Sequence, residues 1–498
     1  MSPHPAGAST ADVSRRRRVP RATVSQKVAV CVVYVAGLFL STLDMTIVNV
    51  ALPTIGRAFD VPSTAVDTVS IAYLVSLAVA VPASGWLGDR FGGKRTLLTA
   101  VAVFTVASAL CGTATSLGQL VVYRVLQGLG GGMLASVGMA MLLRAFAPEE
   151  RVRASSVLSI ANGLAPTMGP VLGGVLVTQV SWRAIFYVNV PVGVFATVFG
   201  ALRLRTEPAR PAERFDLTGF LLAASGFALV MYGVSEGPAR GWTTVPVTAA
   251  LACGAVLVAA MVAVELRKRL PMIDVRLLTN RLFASGTTVM TVESVAFLGT
   301  LFTLTLYFQD ERGMSPLAAG LCTFPEALGV VTGSQLAGRV LYRRLRPRRH
   351  LILGVAATSA VLAAMGLLLR EDTGLWLVVP LLFGVGLAVG QVFVGTQSAS
   401  FATVTPAASG RASTLFNVGR RLGGAIGVAV ATTVLVSAGT SGSGAGTTTD
   451  GYRIAFLTLA VLNLLGLYAA TRVSDTDAAS SIPRQPDRSI REEQERQP

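Results

Sequence analysis

Among the ionisable side chains that interrupt long apolar runs, four are the first candidates for buried chemistry: Asp44, Arg124, Glu293 and Glu326. A carboxyl group held out of water takes up a proton, pairs with a base or binds a cation, and an arginine beside it compensates its charge. His4 lies in the N-terminal tail and His350 at the end of an apolar run. The four cysteines, Cys31, Cys111, Cys253 and Cys322, stand singly in or beside such runs, a spacing that fits neither a disulfide framework nor a metal site. Proton chemistry within the runs therefore falls to carboxylates.

The elements that must position these residues are helices. Of 498 residues, 52% are hydrophobic and 14% charged, against roughly 25% charged in an average soluble domain. Apolar runs lie near 28–53, 66–84, 96–113, 119–143, 155–177, 184–202, 216–235, 245–265, 282–308, 316–337, 350–369, 374–396, 412–437 and 453–471. About 20 residues suffice for a helix to cross ~30 Å of hydrocarbon, so the pattern predicts an all-α, polytopic membrane protein with fourteen spans. It argues against a cytosolic enzyme, a secreted domain or a disordered scaffold. The net charge of +16 has a topological reading rather than a nucleic-acid one. Most Lys and Arg fall in the N-terminal tail and in the loops on its side, which places both termini in the cytoplasm and the chain in the plasma membrane. The basic run Arg15–Arg18 precedes an apolar stretch too long for a cleavable signal.

Residues 1–27 and 473–498 are polar, rich in Pro, Ser and Arg, and read as disordered cytoplasmic tails. Ser437 to Asp450 reads as a flexible external loop. The spans divide into a six-helix bundle over 28–202, a linker with two inserted helices over 203–281, and a second six-helix bundle over 282–472. Two repeated halves of this kind build many transporters.

Depth along each span follows from 1.5 Å per residue. Asp44 lies about 24 Å from the cytoplasmic start of span 1 and Arg124 about 8 Å from the external start of span 4, heights that match. They are candidate partners, either for proton coupling or as a structural ion pair between helices. Glu293, about 16 Å into span 9, and Glu326, about 15 Å into span 10, lie near the midplane, where transporter ion and substrate sites concentrate. Each also reads as a polar group satisfied between packed helices, and Asp67 as interfacial. Small residues at four-residue steps (Gly128, Gly132 and Ser136; Ala165, Gly169 and Gly173; Gly419, Gly423 and Gly427) permit close helix approach.

The loop after span 2 reads Gly85-Trp86-Leu87-Gly88-Asp89-Arg90-Phe91-Gly92-Gly93-Lys94-Arg95. Gly88 to Lys94 imitates a phosphate-binding loop, but Arg95 stands where a Ser or Thr should hold Mg²⁺ and the flanks are membrane helices. No ATP site is expected. A tight, mixed-charge cytoplasmic hairpin fits better, with Asp89 paired to a base or set at the N-terminal dipole of a neighbouring helix.

These segments resemble the 14-helix drug:proton antiporter branch of the major facilitator superfamily over most of residues 28–471. Leu43-Asp44-Met45-Thr46-Ile47-Val48-Asn49-Val50-Ala51-Leu52-Pro53 looks like the helix 1 signature of that branch. Gly85 to Arg95 resembles the cytoplasmic gating motif, with Gly85, Asp89, Arg90, Gly92, Lys94 and Arg95 in place. Arg124-Val125-Leu126-Gln127-Gly128 resembles the buried-arginine motif, and Gly169-Pro170-Val171-Leu172-Gly173-Gly174 the antiporter motif of helix 5. The resemblance implies a major facilitator fold and proton-driven export of hydrophobic, often cationic drugs or antibiotics by a monomer in the lipid bilayer. Alternating access would rock spans 1–6 against 9–14, with Asp44 the leading proton carrier. Glu293 and Glu326 would attract a cationic substrate or take a second proton.

Two departures bear on that reading. Gly93 stands where the family usually has a base, so part of the charge relay is absent or moved to Lys94 or Arg95, and Arg420-Arg421 replace an expected Arg-Gln, adding a cation that would pair with an internal acid or line the pathway. A metabolite carrier for an amino acid, sugar acid or siderophore would use the same fold with other cavity residues. A membrane enzyme finds no support in a nucleophile or metal constellation.

Overall fold

In a computed structural model of the chain, residues 25–206, 215–269, 271–370, 373–440 and 449–482 are described. The helices are α1 Gln26–Phe59, α2 Thr68–Phe91, α3 Gly93–Thr113, α4 Leu117–Ala145, α5 Arg151–Gln179, α6 Ala184–Arg203 and α7 Leu217–Arg240. They continue as α8 Val245–Arg267, α9 Arg281–Leu306, α10 Pro316–Leu336, α11 Tyr342–Leu368, α12 Leu375–Ser400, α13 Ser409–Thr440 and α14 Thr449–Thr471. Polar side chains start several of them by satisfying free amides of the first turn. Ser25 accepts from the Val28 N–H, Asp216 from Gly219, and Asn280 from both Leu282 and Phe283.

Among the described residues, thirteen uninterrupted helical stretches are long and apolar enough to cross a membrane, against the fourteen spans read from the sequence. The stretch Leu317–Leu368 accounts for the difference. Its 52 residues would extend about 78 Å, enough for two crossings. A π-helical turn, Ala337–Leu341, leads out of α10, and Arg346 then leaves the helix at φ 60° and ψ 158°. Pro347 explains the break, since it lacks an N–H and bars its predecessor from α geometry.

The packing repeats with an offset of eight helices. α1 packs on α4, α5 and α6, and α9 on α12, α13 and α14. α2 with α4, α3 with α4 and α3 with α6 recur as α10 with α12, α11 with α12 and α11 with α14. The two sets meet along α5–α10 and α2–α13, again related by the offset. α7 pairs with α8 and lies against α2 and α13 at this seam.

The C-terminal stretch departs from expectation. Residues 473–482, read as part of a disordered tail, pack on the first turns of α11. Val473, Ala478 and Ser481 are buried, Ser481 Oγ shares a hydrogen bond with the Tyr342 hydroxyl (2.7 Å), and the Arg348 amide donates to Asp475 (2.8 Å). Short side chains here fill a groove that composition alone does not reveal. At the other end Ser25 caps α1 and Gln26 and Lys27 belong to it, although the sequence put them in the tail; residues 1–24 and 483–498, and 441–448 of the expected external loop, lie outside the described residues, while 437–440 end α13 and 449–450 open α14.

Candidate transport site

The first repeat encloses an acid and a base. Asp44 on α1 is 0% exposed and Arg124 on α4 1%, and they form an ion pair through Arg124 Nη1 and Asp44 Oδ2. The same Nη1 donates to Gln127 Oε1 (2.7 Å), while Gln127 Nε2 donates to Asp44 Oδ1 (2.7 Å). Asn189 on α6 donates to Asp44 Oδ1 and to Ser108 Oγ on α3, both at 3.1 Å. Arg124 Nε reaches the Val69 carbonyl (3.3 Å), and its guanidinium lies 4.2 Å from the Tyr73 ring centroid. Donors from two helices thus satisfy a carboxylate held on a third, and an aromatic face covers the cation. The matched depths placed Asp44 and Arg124 correctly. They did not disclose Asn189 or Ser108, although Asn189 is a polar residue inside an apolar run, and Gln127, at i+3 from Arg124, shares its helix face.

Backbone approach builds this site. A Cβ at Gly169 on α5 would lie 2.7 Å from Thr46 Cβ and 3.0 Å from the Ile47 amide nitrogen, two and three residues from Asp44. At Gly173 a Cβ would meet Ile47 and Val50 at 3.2 Å, while Gly174 is buried and Pro170 stands within the helix. The Gly-Pro-x-x-Gly-Gly segment therefore sets how close α1 comes to α5. Gly169→Ala is expected to destabilise the solubilised protein by about 1–3 kcal/mol through overpacking. Thermal unfolding measures this, with Gly118→Ala, whose Cβ would meet nothing within 4 Å, as the comparison. Equal midpoints would show that the contact yields freely.

The second repeat holds a related arrangement with no base beside the acid among the described residues. Glu293 on α9 is fully buried and accepts from Thr358 Oγ1 on α11 (2.7 Å); its Oε2 has no hydrogen-bond partner. Nearby, Asn463 on α14 donates to Ser359 Oγ (3.2 Å) and the Val355 carbonyl (3.3 Å). Acid, hydroxyl and asparagine thus occupy α9, α11 and α14 as they occupy α1, α3 and α6, without the arginine. Glu326 on α10 is 1% exposed and neither carboxyl oxygen is hydrogen-bonded.

Glu293 and Glu326, both read near the midplane, do not converge on the cavity between the repeats. A small cavity at the seam takes its lining from α1, α4, α5, α9, α12 and α13, and neither acid contributes. Glu293 turns toward Thr358 on α11, while Met290, one turn earlier, lines the cavity. The backbone at Glu326 is pressed against Gly386 of α12.

At the end of the bundle that carries both described termini, Asp89 accepts from Arg144 Nη1 at the end of α4 (3.4 Å). Its other oxygen would lie 3.5 Å from a Cβ at Gly410, so it sits at the positive N-terminus of α13. Lys94 instead donates to the last carbonyls of α6, Ala201 (2.9 Å) and Leu204 (2.6 Å), and Arg90 and Arg95 are exposed. The base at Asp89 is thus Arg144 rather than Lys94 or Arg95. Gly93 is kept small because a Cβ there would sit 2.7 Å from Met141 Cγ, and Gly92 turns the chain at φ 83°. This end is closed. Arg151 donates to the Phe401 carbonyl (2.7 Å) and Ser413 to the Ser136 carbonyl (2.9 Å), joining α5 to the end of α12 and α4 to α13.

Two repeated helical sets, charges buried between helices and a cavity at the seam define a helical membrane transporter. The family model described as Major Facilitator Superfamily matches residues 34–428, and the chain belongs to that superfamily. It is 34% identical to the "Multidrug resistance protein B homolog" of Mycobacterium tuberculosis, over 81% of this chain and 75% of that protein. It is 33% identical to the "Tetracenomycin C resistance and export protein" of Streptomyces glaucescens, over 80% and 74%. Among solved structures, the human organic anion transporter MFSD10 superposes with a TM-score of 0.61, 16% identity, and coverage of 90% of this chain and all of that one. At that identity the likeness concerns the fold.

Proposed function

We propose that this chain exports amphipathic drugs or antibiotics across the plasma membrane in exchange for protons, by alternating access of the α1–α6 and α9–α14 sets. The names of the relatives support export of such compounds. The observation that carries proton exchange is the enclosed Asp44–Arg124 pair with its Gln127 and Asn189 ligands. While the pair is closed, the guanidinium stabilises the carboxylate. Separation leaves a buried charge uncompensated, which is expensive, and the acid takes up a proton. Glu293 and Glu326, buried without a counter-charge, serve as further proton-holding groups. The closed end seen here is the cytoplasmic gate, with Gly85, Asp89, Gly92 and Arg144 at its latch, and drug entry requires it to part.

Both termini are cytoplasmic in this reading, supported by the basic loops. A reporter fused after Arg472 should be active only in its cytoplasmic form; activity of an external reporter would contradict the orientation. For the function itself, everted membrane vesicles from a pump-deficient strain should accumulate drug when their lumen is acidified, and dissipating the pH difference should stop it. Accumulation indifferent to the pH difference would refute exchange for protons.

A further inference from the structure

The cavity at the seam has a cation in its lining, and a second stands next to it in the chain. Arg420 on α13 lines it together with Tyr34, Asn162, Gln397, Phe416 and Asn417. Arg420 Nη1 donates to Asn162 Oδ1 on α5 (3.2 Å). Arg421 Nη2 donates to Ser41 Oγ on α1 (3.4 Å), and its buried Nε has no hydrogen-bond partner. Successive residues on a helix point about 100° apart, so the two guanidiniums reach different helices of the opposite repeat. Among the described residues neither pairs with a carboxylate within 4.0 Å. Asp44, three residues from the Ser41 that receives Arg421, is already engaged by Arg124, Gln127 and Asn189. Two adjacent cations at a largely dehydrated seam are costly unless an anion compensates them.

We infer that Arg420 and Arg421 form an anion-recognition subsite, and that the transported compounds carry an acidic group, a carboxylate or phenolate, on an apolar body. This rests on the export reading and gives its substrate a charge opposite to the cation that the sequence resemblance implies. A guanidinium suits such a group because it stays ionised and offers paired N–H donors. Met139, Met290 and Phe393 complete the lining and supply deformable and aromatic surface for the body. The subsite also touches the buried pair. Ser41, which receives Arg421, shares a hydrogen bond with the Tyr73 hydroxyl (3.1 Å), and the Tyr73 ring underlies Arg124. An anion that draws Arg421 from Ser41 therefore disturbs the cover of Arg124.

The test uses the full chain in non-ionic detergent and two dyes of similar xanthene body, anionic fluorescein and cationic rhodamine 6G, with binding read by fluorescence anisotropy. Wild type should bind fluorescein at least about tenfold more tightly than rhodamine 6G, and Arg420→Gln should erase that preference. Arg420→Lys should retain part of it. Equal or reversed preference in wild type, or no saturable fluorescein binding, would overturn the subsite, and so would an unchanged fluorescein affinity in Arg420→Gln. The wild-type comparison stands even if the variant does not fold. Because binding is read without a gradient, failure of pH-driven transport in vesicles would refute the export reading while leaving the subsite in place.

Discussion

Asp44→Asn should reduce drug-induced proton release in proteoliposomes to the protein-free background. The amide keeps the volume of the carboxyl and can still accept from Gln127 and Asn189, so the local packing survives. What it cannot do is exchange a proton, and it leaves Arg124, 1% exposed, without its counter-charge. Removing one member of a buried pair costs about 3–5 kcal/mol, so the variant should also unfold at lower temperature. The double variant Asp44→Asn with Arg124→Gln separates the two effects. Removing the orphaned cation should restore part of the stability and none of the transport. Recovered transport in the double variant would make the pair a structural clamp, and Glu293 would become the first proton carrier to examine.

Arg124→Lys should lower coupled transport by at least about tenfold, a loss of ~1.4 kcal/mol or more, at matched protein levels. Arg124 binds in three directions: Nη1 to Asp44 and Gln127, Nε to the Val69 carbonyl at 3.3 Å, and the planar face over Tyr73 at 4.2 Å. An ammonium offers its donors from a single nitrogen, has no face to stack, and sheds its proton more readily when dehydrated. The initial rate of drug-driven proton movement measures the loss. A rate near wild type would mean that positive charge alone suffices.

The helices were legible because a membrane span must satisfy its own backbone and present some 20 apolar residues to lipid. The acid–base pair was legible because two charges in apolar spans, at matched depth, have few other ways to be compensated. What escaped depended on side-chain direction. Depth along the span puts Glu293 near the midplane but does not say that it turns toward Thr358 rather than the seam. Asn189 and Ser108 are ordinary residues until helix packing brings them to Asp44. Arg144 became the partner of Asp89 because Gly93 has no room for a side chain against Met141, a constraint visible only once α3 and α4 pack. Arg420-Arg421 stood out as an anomaly, yet only the packed structure shows that, among the described residues, they reach Asn162 and Ser41 rather than a carboxylate.

The most direct measurement is a stopped-flow recording of external pH as drug is added to proteoliposomes of wild type, with the membrane potential clamped. The account predicts saturable proton release in step with drug movement, abolished by Asp44→Asn and preserved in Gly118→Ala. Drug movement of full rate without proton release, or undiminished release in Asp44→Asn, would contradict it.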